Sequence, residues 1–216
     1  MTPTLWGRPN AHNVMKVDCT LQALGIDYTR VDIGSQPGDL DTPDFRALNP
    51  LGRIPVLQID GLVLRESHTI CRYLAARPGT DPSWWPADNA AQAAINTWLD
   101  WELSSWEPAF MALFWGFYRC PPEKHRPEAI EDAAARCRDC VAELDRALAV
   151  ATWLTGPTPS LADLCCSMGL HRYRHMGYPV TLPDHVARWY EQLAALPAWQ
   201  ATAMASFAGL RGRESY

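Results

Sequence analysis

Two short segments hold the side chains best placed to do chemistry. One is Arg53-Ile54-Pro55-Val56-Leu57; the other, one short hairpin later, is Glu66-Ser67-His68. A proline inside an apolar run is unusual, because it lacks the ladder donor that a central strand needs. A cis Ile54–Pro55 bond, costing only about 0.5–1 kcal/mol, makes the run sensible. It turns the backbone of Ile54 outward, where it can pair with an extended peptide-like ligand as an added strand would. Glu66 and Ser67 end a strand and open a helix, and they suit an amine and a carboxylate respectively. A small zwitterionic peptide satisfies both.

Glutathione is the obvious peptide of this kind, and using it means making a thiol reactive near neutral pH. A thiol with a pKa of about 8.5 is only a few per cent thiolate at pH 7. Lowering that value by two units takes about 2.7 kcal/mol of preferential stabilisation. A helix N-terminus supplies roughly 0.3–1 kcal/mol, and a hydrogen bond to a charged group about 1.5–3 kcal/mol. One or two neutral donors at the start of the first helix therefore suffice, without a metal or a strong base. The sequence there is Arg8-Pro9-Asn10-Ala11-His12-Asn13. Ala11 offers no side-chain donor, which leaves Asn10, Asn13, His12 and the backbone N–H groups. Either asparagine also serves as a helix cap, and His12 reads as a surface or packing residue. The stretch contains no sulfur, so a dithiol mechanism of the Cys-x-x-Cys type is excluded at this place.

Four stretches carry a family resemblance in order and at family spacing: Leu5 to Val17, Leu48 to Leu57, Leu64 to Leu74, and Ser160-Leu161-Ala162-Asp163. On these the chain resembles the cytosolic glutathione S-transferases, most similarly their bacterial theta-like and nu-like members. The resemblance spans nearly the whole chain. It implies a thioredoxin-like α/β N-terminal domain (βαβαββα) followed by an all-α helical bundle, with glutathione as co-substrate and no metal. It also implies a cytoplasmic homodimer acting on hydrophobic electrophiles. Ala11 falls where close relatives often carry serine. Asn13 is therefore the first candidate thiol donor, as in some nu-like relatives, and Asn10 the second. Ile54, Pro55, Glu66 and Ser67 are the expected glutathione contacts. Arg53 is a candidate for the ligand's glycine carboxylate and Gln36 a weaker one. Met111, Phe114, Trp115 and Tyr118 are candidates for the electrophile pocket. Conjugation is the expected reaction; glutathione-dependent disulfide reduction or peroxidase activity, and non-catalytic carriage of glutathione and apolar compounds, are the alternatives.

The elements that must position these residues follow from pattern. Residues 3–7 form a strand. Val14, Val17, Leu21 and Leu24 recur at helical spacing over 13–24, and Gly25 ends that helix. Residues 28–33 alternate as a second strand, and a polar loop leads to a short helix at 43–48. Strands at 54–59 and 62–65 flank Asp60-Gly61, a hairpin turn signal, before a helix over 67–77. The proline-rich stretch 80–86 separates an expected domain of residues 1–79 from one of 87–216. In the second, one long helix over 88–118 is kinked or split by Pro108. Others follow at 127–150, 160–175, 183–195 and 197–207. Ser160 and Asp163 read as a structural capping box. Cys137, Cys140, Cys165 and Cys166 read as buried helix thiols, since zinc needs four ligands and no second pair is suitably spaced.

Composition narrows the classes. A net charge of −5 with no basic run argues against nucleic acid. No apolar stretch is long enough to cross a membrane, and the N-terminus lacks signal-peptide character. Seven cysteines in no framework spacing fit a reducing compartment.

Overall fold

The computed structural model describes residues 2–214. Its N-terminal part is a four-stranded mixed sheet in the order β2-β1-β3-β4. Strand β1 (Thr4–Trp6) pairs parallel with β2 (Thr29–Val31) and antiparallel with β3 (Val56–Ile59), which continues into β4 (Leu62–Arg65). The parallel pair requires a crossover, and α1 (His12–Ala23) provides it. Gly25 ends this helix at φ 65°, and Asp60 and Gly61 turn the β3–β4 hairpin at φ 50° and 79°. These are the left-handed conformations that Gly and Asp-Gly tolerate. Helices α2 (Pro43–Leu48) and α3 (Ser67–Ala75) complete a thioredoxin-like layer.

The remainder is all helical. Helix α4 (Asn89–Trp101) runs into a π-helical turn at 102–106, then α5 (Glu107–Leu113) and a second π-helical turn at 114–119. The expected kink at Pro108 thus takes the form of a wide turn just before it, which absorbs the bond that the proline cannot donate. The extra residue rotates the following face. Trp106, Phe110, Leu113 and Phe114 stay buried, whereas Leu103 is left exposed. The long α6 (Pro127–Leu148) opens on proline at a position needing no donor.

The single helix expected over 160–175 is instead two, α7 (Leu161–Ser167) and α8 (Leu170–His175). They meet at Gly169, where a Cβ would lie 3.0 Å from Phe110 and 3.1 Å from the Trp106 indole nitrogen. Helices α9 (Asp184–Ala194) and α10 (Pro197–Ala203) close the bundle. At the start of α7, the Ser160 N–H donates to Asp163 Oδ2 at 2.9 Å. The other Asp163 oxygen accepts from the Leu154 N–H at 2.9 Å and the Trp189 indole at 3.0 Å. The capping box is therefore also a tie between three segments of the bundle core. Cys137, Cys140, Cys165 and Cys166 are buried, and all seven cysteines are free thiols.

Candidate active site

A cleft of about 430 Å³ opens between the sheet layer and the helical part. The Ile54–Pro55 peptide bond on its wall is cis. The Ile54 N–H and C=O make no backbone hydrogen bond among the described residues, so the N–H can donate to a ligand's main chain and the C=O accept from it. Asn49 holds the segment in place: its Nδ2 donates to the Arg53 carbonyl at 2.7 Å, and its Oδ1 accepts from the Leu51 N–H at 3.1 Å. Arg53, Ile54, Pro55, Glu66 and Ser67 all line this cleft. Glu66 precedes α3 at φ 67°, ψ 115°, a backbone conformation costing roughly 1–3 kcal/mol for a non-glycine residue. Ser67 opens α3 rather than capping it, and its Oγ donates to Asn13 Oδ1 at 3.3 Å. Gln36 is not part of the cleft. It is exposed in the loop ahead of the turn at 39–41, where its backbone N–H donates to Asp39 Oδ2 at 2.9 Å.

Asn13 lies in the first turn of α1, whose cap position is Ala11 with no side-chain bond to the helix. Capping therefore does not account for Asn13. One of its amide N–H groups donates to Glu107 Oε1 at 3.0 Å while its oxygen accepts from Ser67. That pairing fixes which end of the carboxamide is nitrogen and leaves its second N–H to be aimed elsewhere.

Beneath Asn13 lies a buried charge network joining the two parts of the chain. Lys16 Nζ is 2.7 Å from Glu102 Oε2 and 3.1 Å from Glu107 Oε2, and both Lys16 and Glu102 are fully buried. Burial alone would neutralise each. Their attraction outweighs it, raising the Lys16 pKa despite desolvation and holding Glu102 at about 2 against the same penalty, with His12 adding to the effect. His12 Nε2 is 3.3 Å from Glu102 Oε1, and its ring packs against Phe110 at 5.6 Å. It is thus a packing residue. Burial and the nearby Lys16 cation push His68 down to about 3, so its ring is neutral. His12, Glu102 and Glu107 present three donor atoms within 4.8 Å of one another, a spacing suited to a cation. The Lys16 ammonium already bonds both carboxylates.

A second chamber, of about 180 Å³, adjoins the first. Asn13, Ile54 and Met111 line both cavities and mark their junction. Asn10, Phe114 and Trp115 line only the second. Tyr118 lines neither: it is buried, stacked on Phe114 at 5.1 Å and packed against Phe207 at 5.1 Å, and belongs to the core. The chamber is also not the apolar pocket expected from the aromatic run, because Arg8, Arg119 and Arg172 line it too. Sequence reasoning missed these three, along with Asn49, Lys16, Glu102 and Glu107. For Glu102 a signal existed: an acidic residue amid Trp98, Leu99, Leu103 and Trp106 needs a buried partner.

The comparisons with known proteins agree with this architecture. Residues 1–76 match the family model "Glutathione S-transferase, N-terminal domain". The chain is 34% identical over 197 residues to glutathione S-transferase GstB of Escherichia coli K12, covering 90% of this chain and 94% of that protein. It is 31% identical over 207 residues to glutathione S-transferase 3 of Zea mays, covering 93% of each. Among solved structures, the theta class glutathione S-transferase of Xanthomonas axonopodis pv. citri with glutathione bound aligns with a TM-score of 0.89 at 35% identity. That alignment covers 95% of this chain and 98% of that one. The chain belongs to the glutathione S-transferase family and is an enzyme of that class. No helix among the described residues is long and apolar enough to cross a membrane.

Proposed function

We propose that the protein conjugates the glutathione thiolate to an electrophile, with the sulfur at the junction of the two cavities and Asn13 as its side-chain donor. The observation that carries this reading is the Asn13 carboxamide. It lines both cavities, and Glu107 and Ser67 occupy one N–H and the oxygen, which leaves the second N–H for the sulfur. Asn10 lines only the second chamber and is the weaker candidate. The α1 N-terminus adds its unpaired backbone donors and dipole.

In this reading the first cleft takes the tripeptide, and its size lies in the range of small-ligand sites. The Ile54 backbone pairs with the cysteinyl main chain. The Ser67 backbone N–H and the N–H groups that follow it at the opening of α3 bind the γ-glutamyl carboxylate, while the Ser67 hydroxyl stays on Asn13, and Glu66 meets the amine. Arg53 reaches the glycine carboxylate. Residues 1–79 supply this half, and residues 87–216 form the helical half that closes the electrophile chamber. The electrophile end includes Met111, Phe114 and Trp115, and its burial supplies proximity and orientation. We take the working unit to be a two-fold homodimer, which sedimentation at twice the 24.2 kDa chain mass tests.

The functional test is turnover of a chlorinated nitroaromatic by the wild type and by Asn13→Ala. The variant is expected to lose roughly 10–100-fold in kcat, the value of a hydrogen bond to a charged group, with a smaller change in glutathione affinity. Equal losses in rate and affinity would remove Asn13 from that role. Reduction of a small glutathionyl disulfide without conjugation would turn the reading to a reductase, and tight glutathione binding with no turnover to a carrier.

A further inference from the structure

Asn13 can stabilise a thiolate only with its nitrogen, not its oxygen, turned to the sulfur, and the two ends of a carboxamide have nearly the same shape. Of the two groups that grip it, Ser67 cannot make the choice. Its Oγ donates to Asn13 Oδ1 at 3.3 Å, but a hydroxyl turned about its C–O bond would accept from a nitrogen at the same place. Glu107 can. Its carboxylate only accepts, so the end of Asn13 that lies 3.0 Å from Oε1 has to be the nitrogen. The other oxygen, Oε2, is 3.1 Å from the Lys16 ammonium, which fixes the carboxylate in turn.

An irregularity of the helix delivers Glu107 to that place. Glu102 and Glu107 are five residues apart, and in a regular α-helix they would point about 140° away from each other. The π-helical turn at 102–106 closes instead with the Glu107 N–H on the Glu102 carbonyl, a bond that brings residues five apart one above the other. Both carboxylates therefore reach one ammonium, Lys16 Nζ, at 2.7 and 3.1 Å. Glu102 is fully buried beneath, whereas the Glu107 side chain stays 18% exposed and lines the first cleft. By charge alone, a carboxylate at the site of a thiolate disfavours it, so its presence calls for an offsetting role.

We infer that Glu107 is a positioning residue: placed on Lys16 by the π-helical turn, it turns the Asn13 carboxamide nitrogen-first toward the sulfur and itself touches no reacting atom. The inference rests on Asn13 as the thiol donor and adds the group that sets its orientation.

Glu107→Gln tests it. Lys16 keeps Glu102 as counterion and takes the glutamine oxygen, so the new NH2 group faces Asn13. The carboxamide then turns over, Ser67 accepts from its nitrogen, and an oxygen lone pair meets the sulfur. The pKa of the bound glutathione thiol, followed through the thiolate absorbance in the full chain, is expected to rise by about 1–2 units. The kcat for a chlorinated nitroaromatic should fall roughly tenfold or more, while the glutathione Kd changes less than about twofold. Direct electrostatics predicts the opposite sign, because removing a negative charge lowers the pKa of a nearby thiol. An unchanged or lowered pKa in Glu107→Gln would overturn the inference and leave Asn13 standing as donor. Glu107→Asp, the second variant, keeps an acceptor-only group for Lys16 and Asn13 and should restore part of the difference. A shift as large as that of Glu107→Gln would overturn the inference, since the residue would then matter for packing. With Asn13→Ala already in place, Glu107→Gln should no longer raise the pKa; an equal rise there would locate its effect elsewhere in the fold and overturn the inference too. A thiol pKa unaltered by Asn13→Ala itself would remove the donor, and the inference with it.

Discussion

The two cavities that meet at Asn13 are built on opposite plans. The first is a cleft whose wall is backbone held in unusual conformations: a cis peptide at Pro55, a left-handed Glu66, and a loop tied down by Asn49. The second is a smaller chamber walled by large side chains, with aromatic rings and three guanidinium groups from distant parts of the chain. Main-chain recognition suits a ligand that never changes, because backbone geometry is fixed by the fold. A side-chain wall suits the partner that sets specificity, because substitutions can alter it without disturbing the sheet. Both rest on one buried floor, Lys16 with Glu102 and Glu107, which locks the relative position of the two plans.

The comparison is tested most severely at that floor. Glu102→Ala leaves the Lys16 ammonium buried with its main counterion gone, and a loss of about 3–5 kcal/mol is expected. Urea unfolding reads this as a lower midpoint at unchanged slope. A change below about 1 kcal/mol would mean that the floor does not hold the two halves together.

Ser67→Ala should separate the cavities kinetically. Its hydroxyl holds the Asn13 oxygen, and loss of that neutral hydrogen bond, about 0.5–1.5 kcal/mol, lowers kcat/KM for glutathione by roughly 2–10-fold, with the KM for the electrophile unchanged. A matching rise in the KM for the electrophile would show that the two compartments are not independent.

Acid should weaken the floor in a defined window. His68 titrates at about 3 when folded against its ordinary 6.5, so the unfolded chain takes up this proton first. Stability therefore falls as pH drops from about 6.5 towards 3. Glu102, at about 2 against 4.5, adds a further loss below pH 4.5. His68→Gln should flatten the upper part of the profile, between pH 6.5 and 5, by about 1 kcal/mol per pH unit. An unaltered profile would mean that the ring is already charged in the fold. The smallest effect belongs to Gln36. Exposed and outside the cleft, it should change the glutathione KM by less than about twofold on substitution by alanine.

The contrast also explains what could be read from sequence. The first cleft is local: the Ile54-Pro55 run, the Asp60-Gly61 turn and Glu66-Ser67 lie within one hairpin and its flanks, so their spacing carries their geometry. The βαβαββα order was legible for the same reason. The second chamber is assembled by tertiary packing. Arg8, Arg119 and Arg172 follow no shared periodicity, and each alone reads as a surface cation. Met111, Phe114 and Trp115 were legible as an aromatic stretch, but Tyr118 shares their spacing and faces the core against Phe207. Helical periodicity could not resolve them, because the π-helical turns at 102–106 and 114–119 shift the register. The break at Gly169 was likewise set by the approach of Trp106 and Phe110, not by a local stop signal.

The central claim is that Asn13, held by Glu107 and Ser67, stabilises the thiolate where the two cavities meet. Its most direct test is the pKa of the glutathione thiol bound to the wild type and to Asn13→Ala, followed through the ultraviolet absorbance of the thiolate. The account predicts a value about 1–2 units higher in the variant, with glutathione still bound. The same pKa in both proteins would contradict it.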